Sequence, residues 1–160
     1  MDEALSQLRQ LVTARATASL GTLHLGAPYV SMVPFALLPD GSAFVIHVSA
    51  LAAHTKDMLA DARVSLLIAQ TEESGIAPQA LPRVTILGTA RQVPKETPEN
   101  ALARSAYLQR FPDTASLFDL GDFSLFTITP SIVRWVAGFA QARSLTPETF
   151  AKVVGDTAPA

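Results

Sequence analysis

The residue types that could do chemistry gather in one segment of the chain, between residues 44 and 67. A strand in this segment ends near Ser49, and a short helix follows with His54, Thr55 and Lys56 in its first turns. Unpaired backbone N–H groups and the positive end of the helix dipole lie at a helix start, where they attract anions. The segment therefore predicts a phosphate cradle. The alternative is that His54 is a solvated helix residue and Lys56 an ordinary surface lysine.

Other kinds of site find no support in the sequence. The chain has no cysteine, which excludes disulfides, thiolate metal sites and cysteine nucleophiles. His47 and His54 are too few for a metal site without an acidic pair beside them. No Ser-His-Asp order with a nucleophile elbow occurs, and no general acid–base pair can be named. We therefore predict no metal site and assign no catalytic residue.

Charge and hydropathy indicate a soluble protein. The formal net charge is −2 with no basic block, which argues against nucleic acid as a partner. No apolar run approaches the roughly 20 residues that span a bilayer. The first twelve residues carry two acids and lack the apolar core of a signal peptide. The expectation is a cytoplasmic protein with no membrane partner.

The elements that must position the 44–67 segment are mostly short strands. Turn residues separate the strands closely, as at Pro39-Asp40-Gly41, and Thr97-Pro98-Glu99 and Thr146-Pro147-Glu148 are typical helix starts. This pattern predicts an antiparallel β-barrel with helical additions, mostly β in the α+β class, as a single domain over residues 1–160. The predicted strands are 17–23, 28–38, 43–48, 64–69, 83–93, 123–128 and 132–137, and the predicted helices are 4–14, 52–60, 97–109 and one from 146.

The low charge content predicts a homodimer. Charged residues make up 16% of the chain, against roughly 25% in typical soluble domains. A monomer of this size has too few charges to cover its surface, so part of that surface should be buried against a second subunit.

The ordered series of segments resembles the pyridoxamine 5′-phosphate oxidase-like FMN-binding split-barrel family. The resemblance runs from about Arg15 to about Leu145. It is carried by the strands ATASLGT and GAPYVSMVPF, the His54-Thr55 helix start with RVSLL, and the strand PRVTILG. Further segments resemble the haem-utilisation branch of the family: YLQRFP from Tyr107, DF at Asp122 and GF at Gly138.

The resemblance implies a homodimeric split β-barrel that holds FMN at the subunit interface. It implies that Ala53 offers no charge where the oxidase has an arginine, so Lys56 or Arg15 would compensate. Arg83 would reach the flavin from the neighbouring subunit, and Trp135, with Arg143, would close over the cofactor. The residues that the resemblance places on FMN are Ser31, Met32, Val33, Pro34, His47, Val48, Ser49, Ala53, His54, Thr55, Lys56, Arg83 and Trp135.

Three functions compete on this fold. The main interpretation is an FMN-dependent oxidoreductase that acts on an unknown small molecule by hydride transfer at N5 of its flavin. The alternatives are a haem-binding or haem-degrading protein of the haem-utilisation type, and a flavin-binding module without turnover. The substrate and the electron partner (nicotinamide, deazaflavin or oxygen) stay open.

The sequence lacks residues that the resemblance implies for pyridoxamine 5′-phosphate oxidase activity and for haem degradation. The resemblance places Ala36 and Phe111 where the oxidase has cations for its substrate phosphate, and only Tyr107 of that trio remains. It also implies that haem-utilisation enzymes ligate iron through a histidine near the C-terminus, whereas no histidine follows His54 here. A different ligand, such as Tyr107 or Met58, would then be required.

Overall fold

A computed structural model describes residues 1–156 as one antiparallel sheet with helices packed around it. The last four residues of the predicted 1–160 domain lie outside the described part. No helix among residues 1–156 is long and apolar enough to cross a membrane. The helices are α1 (Glu3–Ala14), α2 (Ala53–Ala60), α3 (Pro98–Arg110) and α4 (Pro147–Val154), with 3-10 turns at Pro78–Ala80 and Pro112–Asp119. The strands are β1 (Thr17–His24), β2 (Ala27–Pro34), β3 (Ala36–Leu37), β4 (Phe44–Ser49), β5 (Arg63–Ala69), β6 (Arg83–Gln92), β7 (Phe123–Val136) and β8 (Ala142–Leu145).

The strands pair in the order β2-β1-β5-β6-β7-β4-β3, with β8 paired to the end of β7. β7 is long enough to pair with β6 throughout and with β4 and β8 at its two ends. The register shifts between Leu87 and Gly88 of β6, which leaves Ser131 of β7 unpaired in a bulge and lets the adjacent Pro130 lie inside the strand. The sheet curls into half of a barrel, so the predicted antiparallel split-barrel fold is confirmed.

The core lies on the inner face of the curled sheet. Leu20, Leu66, Ile86 and Val133 stand side by side on β1, β5, β6 and β7, and each is at most 1% exposed. α1 and α4 close this core with their apolar faces. Burial of each such side chain contributes roughly 1.5–3 kcal/mol before entropy is counted.

The outer face of the same strands is unusually apolar. Strand pairing aligns large exposed side chains in two rows across this face. Val30, Leu87 and Ile132 lie in one row, with Gly21 and Ser65 between them, and Met32 and Leu67 lie in the other, on either side of Ser19. We call these side chains the outer apolar face: Val30, Met32, Leu67, Leu87 and Ile132, which are 40% to 69% exposed. Contiguous apolar patches of this kind mark interaction surfaces more often than scattered apolar residues do.

The structure corrects several predicted boundaries. The single strand predicted over 28–38 is two, β2 and β3, separated at Phe35. The two strands predicted over 123–137 are one, because the bulge accommodates Pro130. The helix starts were predicted correctly: Thr97 Oγ1 accepts a hydrogen bond from the Asn100 amide, and Thr146 Oγ1 accepts one from Thr149.

Candidate functional site

Two histidines converge where the β1–β2 hairpin meets α2. Both imidazoles are only partly buried, and hydroxyl, phenol and carboxylate groups surround them. We call this group the hairpin cluster, which consists of Thr22, His24, Tyr29, Ser31, His54 and Asp57.

The local structure explains why these side chains meet. Thr22 and His24 are two residues apart on β1 and therefore point to the same face, which is the face toward α2. Tyr29 lies directly opposite Thr22 in the hairpin, so it shares that face. His54 and Asp57 are three residues apart on α2, which puts them on one side of the helix.

A chain of hydrogen bonds anchors His24. Its Nδ1 lies 2.7 Å from Asp57 Oδ1, and Thr22 Oγ1 donates to Asp57 Oδ2 at 2.8 Å. The Asp57 side chain is 5% exposed, whereas the His24 imidazole is 45% exposed. Burial raises the pKa of Asp57, but hydrogen bonds from His24 and Thr22 outweigh it, so its pKa is lowered overall. The carboxylate is therefore ionised and accepts the Nδ1 proton of His24.

His54 has a neutral partner instead. Its Nδ1 shares a hydrogen bond with Ser31 Oγ at 3.0 Å. Burial lowers the pKa of His54, and the opposing effect of the Asp57 charge is smaller. At neutral pH, His54 is thus an uncharged imidazole and gives the start of α2 no cation.

His47 lies in a different part of the molecule. Its ring stacks on Phe118 with 3.8 Å between centroids and also touches Tyr107 and Phe123. We call the group His47, Tyr107, Phe118 and Phe123 the aromatic cluster. Burial lowers the pKa of His47 to about 4, with smaller contributions from Arg104 and Lys95. Its Nδ1 is buried without a hydrogen-bond partner within residues 1–156.

The other residues predicted near α2 are dispersed. Val48 is buried in the main core, and Ser49 Oγ donates to Asp122 at 3.0 Å. Thr55 is 2% exposed, with no partner for its hydroxyl among the described residues. Lys56 is exposed, and Ala53 is half-buried at the helix start.

The remaining predicted residues lie in different parts of the chain. Val33 and Trp135 are buried in the main core, and the Trp135 Nε1 has no partner within residues 1–156. Met32 belongs to the outer apolar face, and Pro34 is exposed at the end of β2. Arg83 donates to the carbonyls of Gln79 and Leu81 at 3.2 and 2.9 Å. Of the thirteen, the structure brings together only Ser31 and His54 in the hairpin cluster.

Sequence reasoning missed most of the hairpin cluster. It gave no role to Thr22, His24, Tyr29 or Asp57. The usable signals were the two-residue spacing of Thr22 and His24 before a tight turn and the three-residue spacing of His54 and Asp57 on a helix.

The chain belongs to the pyridoxamine 5′-phosphate oxidase family, whose model matches residues 4–137. It is 44% identical over 119 residues to the non-canonical haem oxygenase HOZ of Arabidopsis thaliana chloroplasts; the match covers 73% of this chain and 34% of HOZ. The chain therefore spans about a third of the length of that relative.

Solved structures share the same fold. A haem-binding protein from Mycobacterium smegmatis is 33% identical with a TM-score of 0.82, and the match covers 94% of this chain and 61% of that one. The haem storage protein HutZ from Vibrio cholerae is 24% identical with a TM-score of 0.71, over 78% of this chain and 87% of HutZ. The predicted likeness to the haem-utilisation branch is confirmed.

The prediction of an FMN-binding oxidoreductase is wrong. The relatives at 44% and 33% identity are named for haem, and they overturn both the flavoprotein function and FMN as the cofactor. The start of α2 also lacks most of the side-chain charge that would strengthen the binding of a flavin phosphate. Ala53 supplies none, His54 is uncharged, and Lys56 is exposed. These residues do not fit an FMN phosphate.

Proposed function

We propose that this protein binds haem at the hairpin cluster. The observation that carries the proposal is the way the two imidazoles of the cluster are held. Each is anchored through Nδ1, and the hydrogen bonds found within residues 1–156 leave Nε2 free. An imidazole fixed by one nitrogen and open at the other is a common ligand of haem iron. Because the porphyrin supplies four nitrogens of its own, one protein side chain is enough.

The surroundings of the cluster suit a largely apolar ligand. Leu25 at the tip of the hairpin is 94% exposed, and Tyr29 is 39% exposed beside His24. These side chains offer apolar surface next to the free imidazole nitrogen. Haem supplies redox and oxygen chemistry when bound, while the protein orients it and controls access. The names of the relatives at 44% and 33% identity support the same proposal.

A titration tests haem binding directly. The purified protein is mixed with ferric haem, and the Soret band is followed to saturation, with apomyoglobin added afterwards as a competitor. We expect saturation at one haem per chain and slow transfer to apomyoglobin. A spectrum that stays that of free haem, or complete transfer within the mixing time, would contradict the proposal.

Haem degradation is the second candidate, because the 44% identical relative is named a haem oxygenase. The test supplies the haem complex with oxygen and an electron donor, and follows loss of the Soret band together with release of carbon monoxide. Loss of the band with stoichiometric carbon monoxide supports degradation. A stable oxidised or reduced spectrum under the same conditions leaves binding as the function.

We further propose that a second copy of the chain covers the outer apolar face. Five large apolar side chains lie in register on one sheet surface, and charged residues make up only 16% of the chain. Apolar residues with few charges are typical of the centre of a homodimer interface. β2 carries both this face and part of the hairpin cluster, so the partner would lie close to the proposed haem site.

Analytical ultracentrifugation tests the dimer. The wild-type chain has a mass of 17.0 kDa, and we expect a species of twice that mass at micromolar concentration. Leu87→Glu should shift it to a folded monomer. Leu102→Glu is the matched control, since Leu102 is exposed to a similar degree but lies on α3. A monomeric wild type, or equal effects of the two variants, would contradict the interface.

A further inference from the structure

The three histidines of the chain differ in what holds them. His47 is sealed in the aromatic cluster, where Phe118 covers its ring. His54 is half-buried and shares its hydrogen bond with the Ser31 hydroxyl. His24 alone is held by a carboxylate, and that carboxylate is itself buried and held by Thr22. The imidazole that is held by a supported carboxylate is thus one that remains 45% exposed.

The buried carboxylate of Asp57 behind the half-exposed His24 resembles the support that metal-ligating histidines have. A buried carboxylate needs hydrogen-bond partners to offset its lost hydration. Asp57 has two hydrogen-bond partners, Thr22 and His24. The His24 imidazole is 45% exposed, and its Nε2 has no hydrogen-bond partner within residues 1–156. Histidines that ligate metals commonly donate their other ring N–H to a carboxylate, which fixes the ring orientation and makes the ligating nitrogen more basic.

The turn beside His24 is a second, independent observation. β1 ends at His24, and the chain reverses through Leu25 and Gly26, both with positive φ, 51° and 81°. Two-residue turns of this type favour asparagine or glycine, and a leucine there is strained. Leu25 is 94% exposed, so no packing within the chain offsets that strain. Contact between Leu25 and an apolar ligand bound at the neighbouring His24 would offset that strain.

The alternative ligands are less suitable. Tyr107 is 3% exposed and Met58 is 4% exposed, so neither side chain reaches a bound haem without opening the core. The Tyr29 ring lies 5.4 Å from the His24 ring and limits its rotation from the side. His24 is therefore both accessible and fixed in orientation.

We propose that His24 Nε2 would bind the haem iron and that Asp57, held by Thr22, is the positioning residue that keeps the proton on Nδ1. This inference rests on the proposed haem binding. Asp57 touches neither haem nor iron; it acts by fixing the tautomer of His24 and by adding negative charge behind the imidazole.

Four proteins test the assignment: the wild type, His24→Gly, Asp57→Asn and the control variant His47→Phe, whose histidine lies in the aromatic cluster outside the proposed haem site. Each is loaded with haem and examined by absorption and, in the ferrous state, by resonance Raman. We expect a histidine-ligated spectrum in the wild type and in His47→Phe. His24→Gly should lose that spectrum and bind haem at least tenfold more weakly, and added imidazole should restore the spectrum. Asp57→Asn should keep the ligand but lower the iron–histidine stretching frequency.

The outcomes separate this inference from the proposed function. If the wild type binds no haem, haem binding itself is wrong. If the wild type is histidine-ligated and His24→Gly has the same spectrum, haem binding stands and His24 is not the ligand. Should His24→Gly fail to fold by circular dichroism, Asp57→Asn decides: an iron–histidine frequency equal to that of the wild type overturns the assignment.

Discussion

The hairpin cluster and the aromatic cluster place histidine in opposite surroundings. In the hairpin cluster, His24 is partly exposed and hydrogen-bonded through one nitrogen to a buried carboxylate. In the aromatic cluster, His47 is buried against Phe118, and its Nδ1 has no partner within residues 1–156. The first arrangement prepares a nitrogen for a ligand, and the second removes an imidazole from solvent and keeps it neutral. Residue type alone therefore says little about which histidine can act.

The two tyrosines of the chain give the largest expected contrast between the regions. Tyr107 in the aromatic cluster is 3% exposed, whereas Tyr29 in the hairpin cluster is 39% exposed. Tyr107→Ala should lower the free energy of unfolding by about 3–5 kcal/mol, because it leaves a cavity. Tyr29→Ala should cost about 1 kcal/mol or less. Urea unfolding of both apoproteins measures the difference, and equal losses would show that the two regions are packed alike.

The buried His47 should make stability depend on pH. Its pKa is about 4 in the folded protein, below the ordinary value of 6.5. Between these values the unfolded chain binds more protons, so stability is complete above pH 6.5 and falls as the pH drops toward 4. The loss is up to about 3 kcal/mol from this group.

His47→Phe is the control for this pH dependence, since phenylalanine suits an aromatic surrounding and cannot titrate. Urea unfolding at several pH values should show a shallower decline for the variant than for the wild type. Identical slopes would mean that His47 is solvated in the folded protein.

Helix caps should give the smallest effects. Thr97 caps α3, which carries Tyr107 of the aromatic cluster, whereas α2 has Ala52 at its N-cap position and no side-chain cap. Thr97→Ala should destabilise the protein by about 1 kcal/mol, and Ala52→Ser should stabilise it by up to about that amount. Thermal unfolding measures both. A Thr97→Ala variant as stable as the wild type would mean that the cap contributes nothing.

Local signals in the sequence predicted much of the fold. The three residues Thr97-Pro98-Glu99 are enough to predict the start of α3. Gly41 has the positive φ that the Pro39-Asp40-Gly41 turn requires. Pro130 lies between the two strands predicted at 123–128 and 132–137, yet it is inside β7, because a bulge opposite Leu87/Gly88 of β6 leaves Ser131 unpaired beside it. Features that depend only on neighbours along the chain could be predicted, and those that depend on strand pairing could not.

The candidate site was harder to predict for the same reason. His24 and Asp57 are 33 positions apart in the chain, and they meet only because α2 packs across the end of β1. The sequence presents His24 as a turn residue and Asp57 as one acid on a polar helix. His54 attracted attention through its place at a helix start, but its actual partner is Ser31 on a neighbouring strand.

A crystal structure of the ferric haem complex tests the central claim most directly. We predict that the iron is bonded to His24 Nε2 and that His24 Nδ1 keeps its hydrogen bond to Asp57. Iron bonded to any other side chain, or haem bound away from the turn between β1 and β2, would contradict this account.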